Sequence, residues 1–145
     1  MPQATTAELV REMYRAYGTG DAPAIERIIH DDIDWIIHGP VGVFPFEGPR
    51  QGKAAVLQVL AEIAKDYALQ AYDPEVVVVE NDRAAVMSNV AFTQRTTGRL
   101  LRLRVAHFLR FRDGRLVEFR EFMDSFDAVE QALGTWIDVG KPVAV

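Results

Sequence analysis

The chain contains no cysteine, which excludes disulfides, thiolate metal sites and a cysteine nucleophile. It has no apolar run near the roughly 18 residues of a membrane span. Its first residues, MPQATTAELVREMYRAY, carry acids and lack an apolar signal core, so they do not read as a signal peptide. A cytoplasmic protein without membrane contact is the expectation. Positive charge is outnumbered: 16 Lys and Arg stand against 21 Asp and Glu, a net charge of −5, which argues against nucleic-acid binding. Half of the basic residues lie between Arg95 and Arg120, several alternating with apolar residues at strand spacing, and they read as the solvated face of a sheet. Histidine is scarce as well. His30, His38 and His107 show no HxH or HExxH spacing, so no metal site is expected. No GxxxxGK[ST] stretch supports nucleotide binding, and no cofactor is expected.

What is present suits one domain: 145 residues, 49% of them hydrophobic. Thr5 and Glu8 form a capping box ahead of a helix that stops at Gly18-Thr19-Gly20. Asp21 caps a second, short helix with Pro23 in its first turn. A strand is expected over 33–38, a Gly- and Pro-rich but apolar loop over 39–52, and a third helix over about 53–70. From Asp73 the period changes to that of strands, broken at Asn81-Asp82, Thr97-Gly98 and Asp113-Gly114. Helices followed by an antiparallel meander give an α+β class, with helices on the concave face of a curved sheet. The core is expected over about 6–133, and 134–145 reads as a tail forming an arm or an extra edge strand.

Within 101–111 the odd positions are Leu101, Leu103, Val105, His107, Leu109 and Phe111. His107 is the one polar member of this inward row, and a buried imidazole needs a partner. The next strand ends at Asp124, at a comparable distance beyond the Asp113-Gly114 turn. The count leaves His107 and Asp124 face to face or about one pair apart. A carboxylate beside an imidazole in an apolar cavity is an acid/base unit, and both residues are candidate catalytic groups. Simple alternation, however, puts Asp124 in the row of Glu118, Arg120 and Phe122 rather than that of Val117, Phe119, Glu121 and Met123. Either the inward row is polar there or a bulge within 119–123 switches the parity. Asp127, with Glu130 three residues on, is read as the cap of the last helix. Asp124 is then left without a structural duty.

Further candidates for the cavity wall are Tyr14, Tyr17, Trp35, His38, Phe44, Phe46, Asn89 and Phe122. Asn89 and Ser88 are adjacent in a strand, so one of the two faces inward.

The stretches YGTGD, DWIIHGP, PFEGPRQGKAAV, VAHFLRFRDGRLVEFREF and MDSFDAV resemble, in order and spacing, the SnoaL-like polyketide cyclases. These belong to the superfamily of ketosteroid isomerase and nuclear transport factor 2. The resemblance implies a cone-shaped α+β roll around a hydrophobic pocket, and commonly a homodimer. It matches Asp124 to the acid/base aspartate of the cyclases and His107 to their pocket histidine. The isomerase base falls on His38 or Gly39, neither of which is an acid. The Arg-x-Asp pair of the related epoxide hydrolases is also missing, because no acid lies between Asp82 and Asp113. The expected activity is cofactor-free acid/base chemistry of isomerase, cyclase or lyase type on a small apolar carbonyl compound. The alternative is a non-catalytic binding or dimerisation module, favoured if Asp124 faces solvent or is held in a salt bridge.

Overall fold

A computed structural model describes residues 2–140. Helix α1 spans Thr6–Thr19 and opens on the capping box: Thr5 Oγ1 accepts the Glu8 N–H at 3.2 Å, and Glu8 Oε2 accepts the Thr5 N–H at 2.8 Å. Such a cap is worth about 1 kcal/mol. Gly20, at φ 67°, supplies the left-handed turn that ends the helix. Asp21 then accepts the Ala24 N–H and starts α2, Ala22–Ile28.

The strands are β1 (Ile29–Ile37), β2 (Gly48–Gln51), β3 (Tyr67–Glu80), β4 (Arg83–Gln94), β5 (Leu100–Arg112) and β6 (Arg115–Met123). Helix α3 (Lys53–Asp66) precedes β3, and α4 (Ser125–Leu133) follows β6. The six strands form one sheet in the order β2-β1-β6-β5-β4-β3. Only the β1–β6 pair is parallel. The hairpins turn at Asn81 (φ 53°) and at Asp113-Gly114 (φ 53° and 73°), residues that tolerate the left-handed region. The expected fold class therefore stands: helices on one face of a curved, mostly antiparallel sheet, with a short helix at the end.

Four boundaries differ from the sequence reading. Strand β1 begins at Ile29, ahead of the expected 33. The stretch 39–52 contains β2, which pairs with β1 from Ile37↔Gly48 to Asp34↔Gln51. Helix α3 ends at Asp66, and β3 starts at once with Tyr67. The cap of α4 is Asp124. In the tail, residues 134–140 form no strand, and 141–145 lie outside the described residues.

Two apolar clusters organise the interior. In the larger, Val10, Tyr14, Val56, Val59 and Ile63 of the helices meet Ile33, Trp35, Val86, Leu109 and Phe119 of the sheet. The smaller joins Phe44 and Leu101 to Ala128, Val129 and Ala132 of α4. Phe46 and Met123 pack against both.

Candidate active site

A cavity of about 120 Å³ opens between the helices and the sheet. Its wall is overwhelmingly apolar and aromatic, with Trp35, Phe44, Phe46, Tyr67, Phe92 and Phe119 prominent. The polar side-chain atoms come from Tyr14, Tyr17, Trp35, Tyr67, Tyr72, His107, Glu121 and Glu47. None of the lining residues is Lys or Arg.

Strand alternation explains which of these groups face in. On β5 the row Leu101, Val105, His107, Leu109 and Phe111 is buried, and His107 is 2% exposed. On β6 the pairing runs Arg112↔Arg115 and Phe111↔Leu116, then jumps to Arg110↔Glu118. Val117 is the extra residue of a bulge. Beyond it the register is regular, with Leu109↔Phe119, His107↔Glu121 and Val105↔Met123, so Phe119, Glu121 and Met123 line the cavity. The bulge lies closer to the turn than 119–123, and it leaves Asp124 past the last pair.

His107 has a partner on each ring nitrogen. Nε2 lies 2.7 Å from Glu121 Oε1 and 3.1 Å from the Tyr72 hydroxyl; Nδ1 lies 2.6 Å from the Tyr14 hydroxyl. A carboxylate can only accept, so Nε2 carries the proton. In that tautomer Nδ1 is the acceptor and takes the Tyr14 O–H. The Tyr72 oxygen shares the Nε2–H, which leaves its own O–H free to donate into the cavity. Burial, with the charge of Glu121 adding to it, holds the Tyr14, Tyr17 and Tyr72 phenols well above the usual range. They remain protonated donors at any ordinary pH.

Glu47 is the second acid. It is 1% exposed, and neither carboxylate oxygen has a hydrogen-bond partner. Burial, followed by the charge of Glu121, pushes its pKa up to about 7. A Cβ on Gly39 would overlap the Glu47 carboxylate, so glycine there leaves room for the acid. Trp35 Nε1 is another buried lining group without a partner.

Of the residues expected from the sequence, Tyr14, Tyr17, Trp35, Phe44, Phe46 and His107 line the cavity. Four do not. Asp124 is exposed, and its carboxylate accepts the Asp127 N–H at 3.1 Å as the cap of α4. The capping duty assigned to Asp127 thus belongs to Asp124, and Glu121 is the acid that meets His107. Asp127 sits in the first turn and accepts from Gln131 at 2.7 Å. His38 and Phe122 are exposed and stacked at 4.4 Å away from the cavity, because Phe122 alternates with the inward Glu121. Asn89 faces outward near Asp73 and Arg104. Its neighbour Ser88 is fully buried beside the Tyr14 phenol, without hydrogen-bond geometry to any group.

Three participants were missed. Tyr72 fell between the expected end of α3 and the expected first strand. Glu121 stood in the correct inward row but was passed over for Asp124. Glu47 is the sole acid in an apolar loop, GPVGVFPFEGP, and that isolation was its signal.

The sequence profile of the SnoaL-like domain matches residues 10–119. The chain belongs to the SnoaL-like domain family. A provisionally named isomerase from Rhodopseudomonas palustris is 41% identical, with a TM-score of 0.80 over 92% of this chain and 99% of that one. An NTF2-like protein from Burkholderia thailandensis is 23% identical, with a TM-score of 0.78 over 90% and 98% of the two chains. A provisionally named polyketide cyclase from Pseudomonas putida is 22% identical, also at 0.78, over 88% and 98%. The last two show the shared fold alone. No curated protein matches the chain.

Proposed function

We propose that the protein is a cofactor-free acid/base enzyme acting on a small, neutral, mostly apolar carbonyl compound. The observation that carries this reading is the buried His107, held at both ring nitrogens and presenting hydrogen-bond donors to an apolar cavity. Glu121 fixes the imidazole in one tautomer, and the ring in turn fixes Tyr72. The Tyr72 hydroxyl, with Tyr17 beside it at a ring-centroid distance of 5.4 Å, is placed to bind a carbonyl oxygen. Preorganised donors in a dry site stabilise an enolate far more than they would in water. The absence of lining Lys or Arg, together with the two carboxylates, disfavours carboxylate or phosphate substrates. The isomerase-like relative lends support by analogy.

The exposed, cap-bound Asp124 favours the binding-module alternative only as long as Asp124 is the sole candidate acid. Glu121 and Glu47 supply that chemistry inside the cavity. The test is exchange of α-protons of 2-tetralone in deuterated buffer, followed by proton NMR. Wild type should accelerate exchange, and Tyr72→Phe and Glu121→Gln should each slow it by about tenfold or more. Tight binding of the ketone with no acceleration would establish the binding module instead.

A homodimer is part of the same proposal. Phe108 and Phe122 are exposed and contact each other edge-on at 6.0 Å, Met87 is exposed on the strand next to β5, and Val76–Val79 lie bare on edge strand β3. Soluble monomers rarely leave so much apolar surface in one region.

A further inference from the structure

We propose that Glu47 is the residue that carries the proton in this cavity, acting as base and then as acid on carbon next to the bound carbonyl. The inference rests on the carbonyl reading above and adds the group which that reading lacks. His107 is committed at both ring nitrogens, and Glu121 spends Oε1 on holding the imidazole in its tautomer, a duty that a proton taken up by the same carboxylate would disturb. Glu47 differs in every respect. Its main chain is tied down: the N–H of Glu47 bonds the Phe44 carbonyl at 3.0 Å, and Arg50 donates to the carbonyls of Glu47 and Pro45 at 3.3 and 3.1 Å. Its carboxylate, by contrast, has no partner at all.

An acid buried without a partner is costly to the fold, and a residue with only a structural duty would be paired or apolar. Gly39 leaves the space that the carboxylate fills. Burial and the nearby charge of Glu121 bring the acid near neutrality, where it gives and takes protons with equal ease.

The step balances without any co-reactant. The Glu47 carboxylate takes a proton from the carbon next to the carbonyl. The C–H electron pair becomes the C=C bond of the enolate, and the carbonyl π pair moves to oxygen, against the Tyr72 hydroxyl. Protonated Glu47 then returns the proton to the same carbon, or to a conjugated one, and the C=O bond re-forms. The substrate class is an enolisable ketone, with α,β- or β,γ-unsaturated ketones as those in which the return shifts a double bond.

The experiment compares wild type, Glu47→Gln, Glu47→Asp, Gly39→Ala and Tyr72→Phe in 2-tetralone exchange. Ketone affinity is followed by NMR shifts, and the Glu47 carboxyl is titrated by ¹³C NMR. The expected result is at least a hundredfold loss of exchange in Glu47→Gln with affinity kept within a few fold, and partial activity in Glu47→Asp. Gly39→Ala, which displaces the carboxylate without removing it, should fall nearly as far as Glu47→Gln. In wild type the exchange rate and the Glu47 carbon should titrate together. Exchange surviving in Glu47→Gln but lost in Tyr72→Phe overturns the assignment of Glu47 and keeps the carbonyl reading. Titration of Glu47 in the ordinary carboxylate range overturns the assignment as well. Wild type that binds the ketone and leaves its protons untouched overturns both.

Discussion

His107 faces Glu121 because β6 carries one residue more than its partner. Continuing the pairing Arg112↔Arg115 without Val117 as a bulge would place Arg120 opposite His107. The imidazole would then meet a guanidinium, which donates where the carboxylate accepts. Deleting Val117 should therefore abolish α-proton exchange. Histidine-selective ¹⁵N NMR should show the Nε2–H tautomer of His107 in wild type and its loss in this variant.

Glu121→Gln keeps the shape and removes the charge. An amide donates as well as accepts, so the tautomer preference of His107 should weaken. Replacing a charge-assisted bond with a neutral one at this buried site should cost about 1–2 kcal/mol, read from chemical denaturation. Tyr14→Phe removes the 2.6 Å bond to Nδ1 and should cost about 1 kcal/mol by the same measurement.

Glu47 gives the fold a pH dependence of definite sign. Its pKa rises from the ordinary 4.5 in the unfolded chain to about 7 when folded, so the folded state binds this proton more tightly. The contribution is fully present below pH 4.5 and is lost as pH rises through 7. At most about 3 kcal/mol is at stake, taking 1.36 kcal/mol per pKa unit. Denaturation midpoints of wild type should fall between pH 4.5 and 8, more steeply than those of Glu47→Gln, which should be the more stable of the two at pH 8. Identical slopes in both proteins would falsify this account.

Asp124→Ala should lower stability by about 1 kcal/mol through loss of the α4 cap, with ketone exchange unchanged. A large loss of turnover in this variant would return Asp124 to the catalytic role that the sequence suggested.

For the proposed dimer, sedimentation equilibrium should give twice the chain mass for wild type. Phe108→Glu, which puts a charge on the exposed face, should shift the protein to monomer with the helical content intact.

The sequence carried the fold well because its signals were local. The Thr5–Glu8 box, the Asp21 cap and the Asp113-Gly114 turn each fix a boundary within a few residues. The inward row of β5 was legible for the same reason, and with it His107. The partner of His107 was not, because pairing depends on register, and a bulge leaves no mark in composition. Asp124 and Asp127 are both plausible caps, and only the actual end of β6 at Met123 decides between them. The resemblance to the isomerases directed attention to His38 or Gly39 for a base, and found none. The space beside Gly39 is filled by Glu47, from the far end of the same loop, a relation in space that no spacing rule along the chain expresses.

The two halves of the site rest on different supports. The donors stand on α1, β3 and β5, with the acceptor Glu121 on β6, all interlocked with the core, whereas Glu47 arrives on a surface-crossing loop fastened by Arg50. On the proposal that Glu47 is the reactive group, exchanging the segment from Gly39 to Gly48 would install a different one above a set of donors that stays as it is.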